Sequence, residues 1–176
     1  MLWEAARADL EHAISLDDKS YRARYLLGNV LAAMNETDKA ETEYRIAIGL
    51  APNQPRTYYQ LALLLHAQQD DAGETGLLSK ALAADDHYAP AHCEMGRILL
   101  GQHRLAEAVT QLNLAIQDNP QIEQAYFLLA RAYAGLGQKD QADAMAKRYT
   151  ELRAANRRTS VDKRPHQLGV DQSGVD

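Results

Sequence analysis

The densest run of metal-ligand residue types in the chain is Asp85, Asp86 and His87, followed by His92, Cys93 and Glu94. A structural zinc site needs thiolates and imidazoles at short, paired spacings, and this run mixes ligand types without them. The expected roles are structural. Asp85 and Asp86 end a helix and accept hydrogen bonds from turn amides, and His92 fills the position held elsewhere by Tyr58 and Tyr126. Nucleophile chemistry is no better supplied. Ser15, Ser20, Ser79, Ser160 and Ser173 lie in no recognisable nucleophile context, and the chain has no glycine-rich phosphate loop, CxxC pair or HExxH motif. With no catalytic residue, metal set or cofactor motif, the pattern does not read as an enzyme.

The chain is 176 residues long and 46 % apolar, so composition alone admits a globular domain or a short array. A formal net charge of -5 argues against nucleic-acid or anionic-membrane partners. Cys93 is the only cysteine, which forbids an internal disulfide and leaves a cytoplasmic or a periplasmic location equally open. No apolar run approaches the roughly 20 residues that span a bilayer. The opening MLWEAARADLEH carries no basic region followed by an apolar core.

Periodicity supplies the elements. An offset of 34 residues aligns Leu27, Leu61, Met95 and Leu129, and beside them the small residues Gly28, Ala62, Gly96 and Ala130. It also aligns Tyr44, Leu78 and Leu112, then Ala47, Ala81 and Ala115, while Pro52 and Pro120 share one phase. Within each period, apolar residues recur at helical spacing in two runs of about 14 residues around a polar turn such as Asn35-Glu36 or Gly137-Gln138. Each period is a helical hairpin, with Gly28 and Ala40, or Gly96 and Ala108, marking where the paired helices cross.

A 34-residue helix-turn-helix period resembles the tetratricopeptide-repeat (TPR) family over residues 21–156. Tyr126, Leu129, Ala130, Tyr133, Ala142 and Pro120 match its fixed positions. The resemblance implies an all-α fold, a right-handed α-solenoid of antiparallel helix pairs. The units are 21–54, 55–88, 89–122 and 123–156, each with helix A in its first half and helix B in its second. Residues 2–18 read as the helix B of a partial repeat whose helix A is missing. That leaves Trp3, Leu10 and Ile14 partly uncovered and suggests either missing upstream sequence or a dimer through this helix. Helix B of the second unit departs from the pattern, with Glu74 at a small-residue position and two glycines, Gly73 and Gly76, so it is expected to be the weakest. The last helix is largely polar and can end the stack. Residues 157–176 lack periodicity and are expected to form a disordered tail. Seven bases against two acids within 145–165 suit a helix C-terminus.

In the TPR family the A helices line a concave groove that contacts bound peptide. By alignment, the resemblance assigns Arg22, Tyr25 and Asn29 to that face in the first unit, and Arg56, Tyr59 and Leu63 in the second. Arg97 follows in the third, beside Cys93, Glu94 and Leu100, and Phe127 and Arg131 in the fourth. The A helices carry five arginines against two glutamates, whereas the B helices carry thirteen acids against seven bases. The expected partner is another protein, through a segment whose carboxylates meet Arg56, Arg97 or Arg131 and whose apolar side chains rest on Tyr59 and Phe127. Of the groove residues that clamp chaperone tails in this family, Asn29 matches one, but Tyr25, Gln60, Pro90 and Glu94 occupy the others, so chaperone-tail binding is not expected. The leading function is a protein-interaction scaffold in a bacterial protein or assembly. The alternatives are a non-catalytic TPR segment of a larger enzyme or secretion component, such as a glycosyltransferase, and a structural spacer.

Overall fold

The computed structural model describes residues 2–162, with side chains through residue 158. Among these residues it contains nine α helices and no strand: α1 (Leu2–Leu16), α2 (Tyr21–Ala33), α3 (Thr37–Leu50), α4 (Pro55–Ala67), α5 (Asp71–Ala84), α6 (Ala89–Gly101), α7 (Leu105–Asp118), α8 (Glu123–Gly135) and α9 (Lys139–Asp162). The helices α2/α3, α4/α5, α6/α7 and α8/α9 pair as hairpins that stack in sequence, and α1 packs on α2. The architecture is an α-solenoid.

The turns repeat with the same 34-residue period. Asn35, Gln69, His103 and Gly137 all adopt the left-handed conformation, at φ 59°, 64°, 59° and 74°. The amide after each one (Glu36, Asp70, Arg104, Gln138) donates back to the carbonyl of Leu31, Leu65, Leu99 or Tyr133 at 2.9–3.0 Å. This closure satisfies carbonyls that a helix end would otherwise leave unpaired. The turns between hairpins are also periodic. Asp17, Asp85 and Asn119 each accept, through a side-chain oxygen, the amide of the residue two positions on, at 3.0–3.1 Å. The turn role expected of Asp85 is therefore realised.

The aligned apolar positions are the core. Leu27, Leu61 and Leu129 are buried, as are Tyr44, Leu78 and Leu112 and the alanines 47, 81 and 115. Removing a leucine-sized side chain from water is worth about 1.5–3 kcal/mol, so each hairpin is held mainly by these few residues. The crossing glycines are sterically required: a Cβ on Gly28 would lie 2.6 Å from the Tyr44 ring, and one on Gly96 2.5 Å from Leu112. Two cores result. The first spans α2 to α5 and takes in Ala91 and Ile98 of α6. The second joins Cys93 of α6 to Leu112, Ala115, Ala125, Leu128 and Leu129.

At the N-terminal end, Leu10 and Ile14 pack against the first core, but Ala13 is exposed where its counterpart Ala47 is buried. Leu2, Trp3 and Leu16 are exposed beside it. Among the described residues, no helix covers this stripe. At the other end α9 continues to Asp162, which corrects the expectation of disorder for residues 157–162. No glycine or proline interrupts residues 139–162, and the first proline after them is Pro165. The rest of the expected tail, 163–176, lies outside the described residues. The longer helix adds Arg157, Arg158 and Asp162 to the B helices, and with Arg153 of the same helix this narrows their acidic excess. The second unit's α5 forms over 14 residues, as α3 and α7 do.

Candidate functional site

Five of the nine aligned residues fall into two clusters at opposite ends of the array. In the first, Arg22 and Tyr25 on α2 and Arg56 on α4 line a cleft of about 310 Å³ with Tyr21, Tyr88 and Asp85. Neither arginine makes an ion pair among the described residues. Asp85 is engaged by the His87 amide, and the Arg56 guanidinium beside the Tyr88 hydroxyl partly offsets the rise in that phenol's pKa that burial causes. Tyr59 packs edge-on against Tyr88 with ring centroids 5.7 Å apart. Burial, assisted by the Glu94 carboxylate, pushes its phenol up to about 12, so it stays a neutral hydrogen-bond donor. Leu63, on the same helix, is half-buried. Tyr21 and Tyr88 escaped the sequence reading because Tyr21 opens α2 and Tyr88 precedes α6, both off the inner-face register.

The second cluster lies between α8 and α9. Phe127 is 44 % exposed, packs on Tyr149 at 5.5 Å, and lies under the Arg131 guanidinium at 5.8 Å. Alanines 130, 134, 142 and 146 complete a shallow apolar pocket. It occupies the place that, one unit earlier, α8 fills against α6 and α7. There the equivalents of Asp143 and Ala146 are Val109 and Leu112, both part of the second core, so α9 presents a smaller and more polar surface.

The remaining residues are engaged within the protein. The Asn29 side-chain oxygen accepts the buried Tyr44 hydroxyl at 2.8 Å. Arg24, one of the five A-helix arginines, pairs with Glu43 on α3 at 3.0 Å. Arg97 hydrogen-bonds Glu74 through Nη2 and Glu94 through Nε. Burial opposes its charge, but the attraction of Glu94 and Glu74 outweighs this and raises its pKa. Glu74 is 1 % exposed, and its second oxygen lies 3.1 Å from His66 Nδ1. Glu94 also accepts the Gln124 amide at 3.2 Å. This cluster joins α4, α5, α6 and α8, and it explains how a carboxylate can stand at a helix crossing.

The run from Asp85 to Glu94 does not converge. His92 is buried and reaches the Asp86 carbonyl through Nε2 at 2.8 Å and Gln111 through Nδ1 at 2.7 Å. Its tyrosine counterpart, Tyr126, donates in the same way to the Pro120 carbonyl at 3.3 Å, one period on. Cys93 points into the second core rather than the groove, and burial pushes its thiol up to about 12. His87 is exposed and bonds Asp118 at 2.9 Å.

A sequence profile of the tetratricopeptide repeat matches residues 2–55 and 25–89, and a second profile of that repeat matches residues 123–156. The chain belongs to the tetratricopeptide-repeat family. The hairpin of α6 and α7, almost wholly outside both matches, closes its turn at His103 with the same bonds as its neighbours. No curated protein matches the chain. Among solved structures, MamA superposes with a TM-score of 0.73 at 18 % identity, covering 89 % of this chain and 91 % of that one. YrrB, described as a TPR protein with an unusual peptide-binding site, gives 0.65 at 20 % identity, covering 92 % and 83 %. PilW, described as a widely conserved type IV pilus biogenesis factor, gives 0.72 at 25 % identity, covering 85 % and 70 %. Among the described residues of this TPR array, no helix is long and apolar enough to cross a membrane.

Proposed function

We propose that this TPR array is a non-catalytic interaction scaffold that holds an acidic, apolar segment of a partner protein along its A helices. The observation that carries this reading is the cleft between α2 and α4, where Arg22 and Arg56 stand among Tyr21, Tyr25 and Tyr88 with no ion pair among the described residues. Guanidinium groups bind carboxylates in a planar, charge-assisted geometry, and tyrosine rings offer large contact area at low entropic cost. Arg131 over Phe127 offers a second cation and ring at the far end of the same helix set. The anchoring roles first expected of Asn29 and Arg97 pass to these residues, because Tyr44 and the two glutamates already engage them.

A displayed library of random peptides tests the proposal. Selection on the full chain is expected to enrich Asp or Glu next to large apolar residues. The joint substitution R22A/R56A should weaken the selected peptides at least tenfold, and added salt should weaken them further. Enrichment without acidic residues, or unchanged affinity in the double variant, would overturn it. Sedimentation of the same sample tests the proposed pairing through α1, whose exposed Leu2, Trp3 and Leu16 would be covered in a dimer. A monomeric mass at tens of micromolar would refute that pairing. The reading as an assembly component is favoured by the likeness to PilW, the only one of the three structures described with an assembly role.

A further inference from the structure

His66, at the end of α4, and Asp71 and Glu74, in the first turn of α5, bring one imidazole nitrogen and two carboxylate oxygens within 4.8 Å of one another. At all three places the second unit departs from its own repeat. The residues one or two periods away are Ala32, Leu100 and Ala134 for His66, Thr37, Leu105 and Lys139 for Asp71, and Ala40, Ala108 and Ala142 for Glu74. Three ligand-type residues thus replace residues with no carboxylate or imidazole, in one hairpin and around one point. The carboxylate of Glu74 is buried, and a buried charge is costly unless paired.

The charge around that point is unbalanced. Arg97 bonds both Glu74 and Glu94 and lies 3.4 Å from His66 Nδ1, so one guanidinium serves two carboxylates, while Asp71 adds a third carboxylate beside Glu74. Asp70 caps α5 by accepting the Gly73 amide, whereas the Asp71 carboxylate has no partner among the described residues. The 3.1 Å between His66 Nδ1 and Glu74 Oε2 is also near the spacing of adjacent ligands on a metal, since two bonds of about 2.1 Å end about 3.0 Å apart at a right angle and about 3.4 Å apart at a tetrahedral one.

We propose that His66, Asp71 and Glu74 form a site for a divalent transition-metal ion of the zinc class. An imidazole with two carboxylates suits zinc and its neighbours, whereas magnesium and calcium prefer oxygen ligands alone. The ion takes the Nδ1 lone pair, any proton carried there leaves to solvent, and water completes the coordination. Arg97 then becomes the competitor, because guanidinium and ion share the carboxylate of Glu74. The site is independent of the peptide cleft, to which none of its residues belongs.

Calorimetric titration of the full chain with zinc chloride in chelator-free buffer at neutral pH tests this. One zinc ion per chain should bind with a micromolar Kd. The substitutions H66A and D71N change exposed residues and should leave the helical circular dichroism intact while weakening zinc at least tenfold each. R97Q removes the competitor, so zinc should bind about tenfold more tightly and raise a Tm that is depressed in its absence. Magnesium chloride should show no saturable binding. The proposal is overturned by absent zinc saturation, by zinc binding that survives H66A and D71N (as would occur at His87 and Asp118), by unchanged or weaker binding in R97Q, or by equal affinity for magnesium.

Discussion

Three side chains tie one segment to another through a single partner atom: His92 reaches the Asp86 carbonyl, Tyr126 the Pro120 carbonyl and His87 the Asp118 carboxylate. His87 shows the consequence for titration. Its bond to Asp118, strengthened by the charges of Asp118 and then Asp86, raises its pKa above the ordinary 6.5. The raised value means that the folded protein holds the proton more tightly than the unfolded chain does. The contribution of this pair is therefore fully present below about pH 6.5 and is lost as pH rises through the folded-state value. Proton NMR of the His87 ring should give a midpoint above 6.5 that falls back toward it in D118N; an unchanged midpoint would show that the bond is not formed in solution. Because His87 is largely exposed, the effect on overall stability should be slight.

At the scale of helices, the two glycines of α5 separate a packing requirement from simple drift. A Cβ on Gly73 would lie 2.6 Å from the Leu65 side chain and 2.3 Å from the Asp70 carboxylate that caps the helix, whereas a Cβ on Gly76 meets nothing within 4 Å. G76A should therefore stabilise the protein by about 0.5–1 kcal/mol, the helix-propensity gain of alanine. G73A should destabilise it despite the same propensity gain, because Leu65 and the cap must both shift. Chemical denaturation of the two variants checks the opposite signs. The hairpins, their period and the crossing glycines were legible in the sequence because they rest on residues 34 apart or within one helix. The partner of Glu74 was not legible. It is Arg97, 23 residues away on the next hairpin, and a departure from the repeat pattern does not say which neighbour compensates it. The same holds for Asn29: alignment assigned it to the groove face, but its bond to Tyr44 depends on how α2 and α3 face each other.

Across the whole molecule, the aromatic and cationic surface is discontinuous, concentrated near α2 and α4 and again at α8 and α9, with the ionic cluster of Arg97 between them. Alignment placed these arginines on one face, yet the charge that Arg97 offers a partner is offset by Glu94 on its own helix and by Glu74 from a B helix, and the second lies in no inner-face register. The division into two cores has its own consequence for how the array opens. Ala91 and Ile98 belong to one core and Cys93 to the other, so α6 is a wall common to both. Fraying of α1 or α9 exposes one side of one core, but releasing α6 opens both at once. Backbone amides of α6 should therefore exchange with deuterium most slowly in the chain, with protection falling toward each end; fastest exchange in α6 would show that the two halves come apart there instead.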